Sequence, residues 1–264
     1  PHGNGPQVGF MALRSELGRD IVHEVPLDAL VANTQGSLGY LLQRALREEC
    51  ALRGMDVPVV TILTEVEVDP NDEAFGHPTK PVGGFYSALE AQLLQRDRGW
   101  TMIEDSMRGY RQVVPSPTPK RIVQLKTIKE LATSGTVVIC CGGGGIPVVR
   151  RGDGSLRGIA GVIDKDRTSA MLAVELGARA LFLTTAVDQV YANFGEPNQR
   201  ALKTLPMKEA EELLASGALP AGSMGPKVKS ATRFILHGGE VAVICSPGAL
   251  MAAYDGNAGT FIVA

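Results

Sequence analysis

The 264 residues are 44% hydrophobic and 20% charged, enough apolar material to bury a large core as one α/β domain or one domain carrying an insertion. A formal net charge of −2, without basic blocks or interleaved basic and aromatic patches, removes the electrostatic case for nucleic acid or an anionic membrane as a partner. No apolar stretch nears the roughly eighteen residues of a membrane span and no signal peptide is visible. Cys50, Cys140, Cys141 and Cys245 lack CxxC spacing, which reads as reduced thiols in a cytoplasmic protein.

The chain opens at Pro1 inside a loop-like stretch, HGNGPQVG, with no strand leading into it, and an amino-terminal piece is expected to be missing. Val8, Met11, Leu13 and Leu17 follow at partly helical spacing. A polar, glycine-rich helix start is a natural anion or substrate site, although a plain capped turn reads the same way. From Thr34-Gln35-Gly36-Ser37, the positions Leu38, Leu41, Leu42, Ala45 and Leu46 predict a scaffold helix with Ser37 as its cap. Residues 59–66 read as a strand. Between Asp69 and Pro119 the sequence turns rich in proline and charge and holds the only tryptophan, Trp100. This predicts an inserted subdomain whose small core comes from Phe75, Phe85, Tyr86, Trp100, Ile103 and Tyr110. Lys80, flanked by Pro78 and Pro81, is expected to be held in a defined direction.

Pro119 is expected to open a helix with Ile122, Leu125, Ile128 and Leu131 on one face, closed by Gly135. A buried strand over 136–140 then runs into Gly142, Gly143, Gly144 and Gly145. One or two glycines would mean a tight turn. Four, ending in Ile146-Pro147, favour a cradle whose backbone N–H groups meet a phosphate or carboxylate. No Gly-Lys-Ser/Thr follows, so it is not a Walker loop. In GIAGVIDKDRT, Asp164 or Asp166 can cap the next helix, and Lys165 between them reads either as a surface ion pair or as an ordered catalytic charge.

After a strand over 180–184 comes the aromatic-polar loop with Tyr191 and Phe194, placed to lie against a base or simply to cover a core edge. A scaffold helix is expected over 206–216. In AGSMGPK, Pro226 is expected to be the first helical residue, which puts Lys227 in the first turn. There its charge adds to the positive helix end, unfavourable without an anion. Residues 241–245 close the sheet, and the segment 256–262 has no assignable place in it.

Seven stretches name a family by resemblance: HGNGPQVG from His2, TQGSLGY from Thr34, PTKPVG from Pro78, RGYRQVVPSP from Arg108, CGGGGIPV from Cys141, VIDKD from Val162 and GSMGPKV from Gly222. Together, in this order across nearly the whole chain, they resemble carbamate kinase of the amino-acid-kinase superfamily. The resemblance implies a three-layer α/β/α sandwich on a mostly parallel sheet over 1–264, with a protruding subdomain at about 67–120, and a homodimer. It implies reversible phosphoryl transfer between ATP and carbamate with magnesium, running in catabolism toward ATP from ADP and carbamoyl phosphate. Carried over residue by residue, Lys165 and Lys227 would neutralise the transferring phosphoryl group, Asp166 would hold the lysines, and Lys80 would reach in from the subdomain. Asn4, Gly5 and Gly142 to Gly145 would line the acceptor side, with Thr184, Asp188, Tyr191, Met224 and Lys227 near the nucleotide. Phosphoryl transfer asks mainly for positioning and positive charge, so no protein metal ligand is expected and magnesium can ride on the phosphates.

Departures are expected to matter unequally. Family members open with a strand and a Gly-Gly-Asn-Ala loop that this sequence does not show before Pro1. Met107 stands where the family usually has glycine, and Lys229 where an acidic residue is common. The competing reading is a weakly active or non-catalytic subunit of the same fold, docking on a carbamoyl-transferring complex.

Overall fold

A computed structural model describes residues 1–105, 108–220 and 224–264. Met107, and Gly222 and Ser223 of the seventh motif, lie outside the described residues. The chain divides into two units, Pro1–Thr168 and Ser169–Ala264.

In the first unit the strand expected over 59–66 is two strands. Val59–Thr61 pairs in parallel with Val137–Ile139, and Glu65–Val68 lies inside a second sheet between Pro119–Ile122 and Ile146–Arg150. The break falls at Thr64, which is fully buried and spends its polar groups on other segments: its N–H donates to Gln35 Oε1 at 2.7 Å, and its hydroxyl accepts the Cys141 N–H at 2.9 Å. A strand running straight through would have committed that N–H to a ladder.

The helix expected from Pro119 is also corrected. Pro119–Ile122 is an edge strand, antiparallel to Glu65–Val68, and the helix begins at Leu125. An edge strand tolerates a residue without an N–H, and the register shifts beside Pro119's partner Val68. Likewise Ser37 caps nothing. The helix is Leu27–Leu52, and its buried stripe is Leu30, Val31, Thr34, Gln35 and Gly39. Gly39 is required there because a Cβ would run into the Thr61 methyl, so the helix lies directly on the Val59–Thr61 strand.

The chain leaves the sheet after Val68 and returns at Pro119. Between them, Gly109–Val114 lies in the middle of an antiparallel sheet, flanked by Lys80–Tyr86 and Thr101–Asp105. Helix Ala88–Arg98 carries a Ser87/Glu90 capping box and stops at Gly99, whose φ is +64°. The core of this region is aliphatic, with Val82, Ala91, Met102, Val113 and Val114 buried, whereas Phe85 and Ile103, expected inside, are exposed. Two guanidinium groups cover Phe85 instead, Arg108 at 4.9 Å and Arg111 at 5.0 Å from its ring centre.

The second unit has a four-stranded sheet in the order Ala180–Thr184, Val241–Cys245, Thr260–Val263, Thr204–Pro206, parallel at its two outer pairs and antiparallel in the middle. The terminal segment is therefore an interior strand. Helices Met207–Ala215 and Met224–Leu236 contribute to the core, where Phe234, Val228, Leu205, Ile244 and Ile262 are fully buried. Helix Met224–Leu236 has Pro226 as its third residue, not its first, and the Gly225 N–H donates to the Pro220 carbonyl at 3.0 Å. The missing proline N–H still falls in the first turn, where it has no intrahelical partner to lose. Helices packed on parallel ladders with antiparallel additions give the α/β class that the sequence predicts.

Candidate active site

A cavity of about 200 Å³ in the first unit is lined by Asn4, Gly5, Lys80, Gly143, Asp164, Lys165 and Asp166, with Val8, Val82 and Val162 as its apolar wall. These side chains come from distant parts of the sequence. Strand Lys80–Tyr86 begins at Lys80, whose Nζ lies 2.9 Å from Asp164 Oδ2, and Lys165 Nζ lies 3.1 Å from Asp166 Oδ1. Two lysines, each steered by a carboxylate, thus face one small space.

Asp164 is also the helix cap left open by the sequence. Its Oδ1 accepts the N–H of Asp166 at 2.9 Å and of Arg167 at 3.2 Å, fixing the start of helix Lys165–Leu176. Burial pushes its carboxyl up, but the Lys80 charge and hydrogen bond, with these two amides, outweigh burial and hold it below the usual range. Helix Gly5–Gly18 opens at the same cavity, so two positive helix ends reach it. An anion of a few heavy atoms is the ligand this arrangement favours.

The glycine run is corrected in its chemistry. Its amides are largely spent inside the protein: Gly143 N–H donates to the His2 carbonyl at 2.7 Å, Gly144 to Cys141 and Gly145 to Gly142, each at 3.1 Å. What demands glycine is close approach. A Cβ on Gly142 would meet the His2 ring, on Gly143 the Asn4 amide, on Gly144 the Ile163 carbonyl and on Gly145 the Val66 side chain. Of the four, Gly143 alone lines the cavity. Gly142, Gly144 and Gly145 form its backing, which lets the HGN loop and the Ile163-Asp164 turn converge.

Sequence reasoning gave no site role to Thr34, Gln35 or Thr168, which hold this backing. Gln35, 1% exposed, accepts from Thr64 N–H and donates through Nε2 to the Gly142 carbonyl at 2.9 Å and the Thr64 carbonyl at 3.2 Å. Thr168 donates its hydroxyl to the Gly144 carbonyl at 2.8 Å, and Asn4 Nδ2 donates to Thr34 Oγ1 at 2.9 Å. A signal existed: Thr34 and Gln35 are polar residues on the buried stripe of a helix, visible once that helix is started at Leu27.

The second unit holds its own cavity, about 240 Å³, lined by Thr185, Ala186, Val187, Tyr191, Phe194, Leu219, Pro220 and Met224. Tyr191 and Phe194 have ring centres 5.9 Å apart. Of the residues assigned to the nucleotide, Tyr191 and Met224 line this space. Thr184 and Asp188 do not: Thr184 ends its strand paired with Cys245, and its neighbour Thr185 faces the cavity instead. Lys227 is on the first turn of the helix that Met224 begins. Among the described residues no three His, Cys, Asp or Glu side chains converge on a metal-sized space.

Residues 2–246 match the model of the amino acid kinase family. The carbamate kinase of Clostridium perfringens is 47% identical over 99% of this chain and 84% of its own length. The carbamate kinase-like protein YahI of Escherichia coli is 45% identical over the same shares. Among solved structures, carbamate kinase from Giardia lamblia bound to AMP-PNP superposes with a TM-score of 0.91 at 38% identity, covering 99% of this chain and 83% of that one. With the seven motifs in order and two lysines set in an anion-sized cavity, the chain belongs to the amino acid kinase family, on its carbamate kinase branch.

Proposed function

We propose that this protein forms ATP from ADP and carbamoyl phosphate, the catabolic direction of the carbamate kinase reaction. The observation that carries this reading is the pairing of Lys80 with Asp164 and Lys165 with Asp166 around one cavity of about 200 Å³. In the transfer, the bond from phosphorus to the carbamate oxygen breaks as a bond to the terminal oxygen of ADP forms. Charge spreads over the equatorial oxygens, and fixed cations lower the barrier without reorganising. Lys165 meets that charge, and Asp166 holds its ammonium in place. Lys80 addresses the carbamoyl phosphate from the excursion at about 67–120, which acts as a subdomain.

The adenine nucleotide occupies the second unit's cavity, its base against Tyr191 and Met224, with Thr184, Asp188 and Lys227 serving its ribose and phosphates. The Giardia relative's bound AMP-PNP supports adenine nucleotide binding here. Magnesium neutralises phosphate charge when bound. Asp164 and Asp166 are each set against a lysine, so the donors best suited to the ion are the nucleotide's own oxygens. The chain works as a homodimer through the outer face of helix Leu27–Leu52, where Tyr40 is 61% and Leu41 50% exposed. A cytoplasmic setting fits its free cysteines, and among the described residues no helix is long and apolar enough to cross a membrane.

The test is ATP formation from ADP plus carbamoyl phosphate by the wild type and Lys227→Ala. Robust formation that collapses in the variant supports the assignment. A folded wild type that makes no ATP would overturn it in favour of the non-catalytic docking subunit, a reading kept in view because the YahI relative carries "-like" in its name.

A further inference from the structure

The lysine-lined cavity contains one uncharged polar side chain, Asn4, whose orientation is dictated from behind. Thr34 is fully buried, and its Oγ1 lies 2.6 Å from the Val31 carbonyl. That oxygen can only accept, so the Thr34 proton is committed to it. Thr34 Oγ1 can therefore only receive from Asn4, which puts Asn4 Nδ2 on that side at 2.9 Å. The amide is further pinned flat against Gly143, where no side chain stands between them. Asn4 is 4% exposed and lines the cavity, whereas Thr34 does not. Its Oδ1 is left as an acceptor turned away from Thr34, and no described residue donates to it.

The two carboxylates at the cavity each face a lysine. Asp164 already takes Lys80 and two amides, and Asp166 takes Lys165. Lysines and helix N-termini suit the oxygens of a phosphate or carboxylate and repel an N–H. A substrate carrying an N–H needs an oxygen, and Asn4 Oδ1 is an uncharged one that Thr34 leaves available.

We propose that Asn4, oriented by Thr34, accepts a hydrogen bond from the amino group of the carbamoyl moiety and thereby selects carbamoyl phosphate over acyl phosphates of the same size. Acetyl phosphate is the informative competitor, since a methyl group replaces the amino group and leaves Oδ1 buried without a donor. A site built to bond an N–H discriminates strongly against the analogue lacking it. Thr34 acts as a positioning residue: without its hydroxyl the Asn4 amide is free to turn over and present Nδ2 instead.

The inference rests on the carbamate kinase reading, and one experiment separates the two. ATP formation is measured with carbamoyl phosphate and with acetyl phosphate for wild type, Asn4→Ala, Thr34→Val and Thr34→Ser. Wild-type ATP formation from carbamoyl phosphate tests the kinase reading by itself. The inference predicts that the ratio of kcat/KM values, carbamoyl over acetyl, falls at least tenfold in Asn4→Ala and Thr34→Val. The KM for ADP should stay unchanged, and Thr34→Ser, which keeps the hydroxyl, should restore the wild-type ratio. A ratio unchanged in either folded variant overturns it, as does an equal loss with both phosphoryl donors. Should Asn4→Ala not fold, Thr34→Val against Thr34→Ser decides alone, because Thr34 lies outside the cavity.

Discussion

The two cavities are of similar size, about 200 and 240 Å³, yet they are built by opposite means. The first unit's cavity is lined by four separated stretches, with buried hydrogen bonds, ion pairs and crowded glycines holding them together. The second unit's cavity comes from one strand exit, one aromatic loop and one helix start, with apolar walls. A small, highly charged ligand offers little area for binding, so its site must fix charges by rigid construction. A planar aromatic ligand contributes area by itself and can be met by a looser wall.

That contrast predicts where substitutions hurt most. Lys165→Ala should lower kcat by about 10²–10³, the cost of losing one preorganised charge partner of a transferring group, while leaving the KM for ADP near wild type. Steady-state kinetics with ADP and carbamoyl phosphate varied in turn would show this split. A matching loss in ADP affinity would mean that the acceptor-side lysine is not confined to the chemistry assigned to it.

Glycine substitutions sharpen the comparison at the level of stability. Gly143 has φ +66° and abuts the Asn4 amide, whereas Gly195, in the aromatic loop, has φ +84° and open space where a Cβ would stand, with nothing within 4 Å. Gly143→Ala should then cost about 2–4 kcal/mol, from the left-handed backbone plus overpacking, and Gly195→Ala only about 1–2 kcal/mol. Urea unfolding of both variants measures the difference. Equal costs would show that the glycine run is no more crowded than an ordinary turn. If the nucleotide sits as proposed, Tyr191→Ala should raise the KM for ADP up to about tenfold, the worth of one aromatic contact, with kcat little changed.

The sequence shows the strands and most helices because burial and periodicity coincide there, as in 180–184 and 241–245. Reading failed where a residue serves a segment far away in the chain. Thr64 breaks a strand because its partners are Gln35 and Cys141, and Pro119 begins an edge strand because its neighbour is Val68. Periodicity carries no record of such partners. The same holds at the site: Lys80, Lys165 and Asp166 stand out locally, but Thr34, Gln35 and Thr168 act through hydrogen bonds spanning up to 107 positions. The glycine run was visible as a demand for missing side chains. Whether that space admits a ligand or another loop depends on His2 and Asn4, which the run itself does not encode.

The smallest expected effect isolates the Lys80 pairing from the helix cap. Asp164→Asn keeps an oxygen for the Asp166 and Arg167 amides and removes only the charge facing Lys80. Because the folded-state carboxyl is held below its ordinary value, the wild type gains stability from its charged form at pH values above about 4, where the unfolded carboxyl is also ionised. That gain is lost as the pH falls through the lowered folded value, when both states protonate. Lys80 keeps 35% of its side chain exposed, so solvent screens the pair and the difference should be only about 1 kcal/mol. Urea midpoints for wild type and Asp164→Asn should therefore differ at pH 7 and converge in acid, once the pH falls below the lowered folded-state value. A difference that persists in acid would assign the effect to the cap, and with it the start of helix Lys165–Leu176, rather than to the lysine.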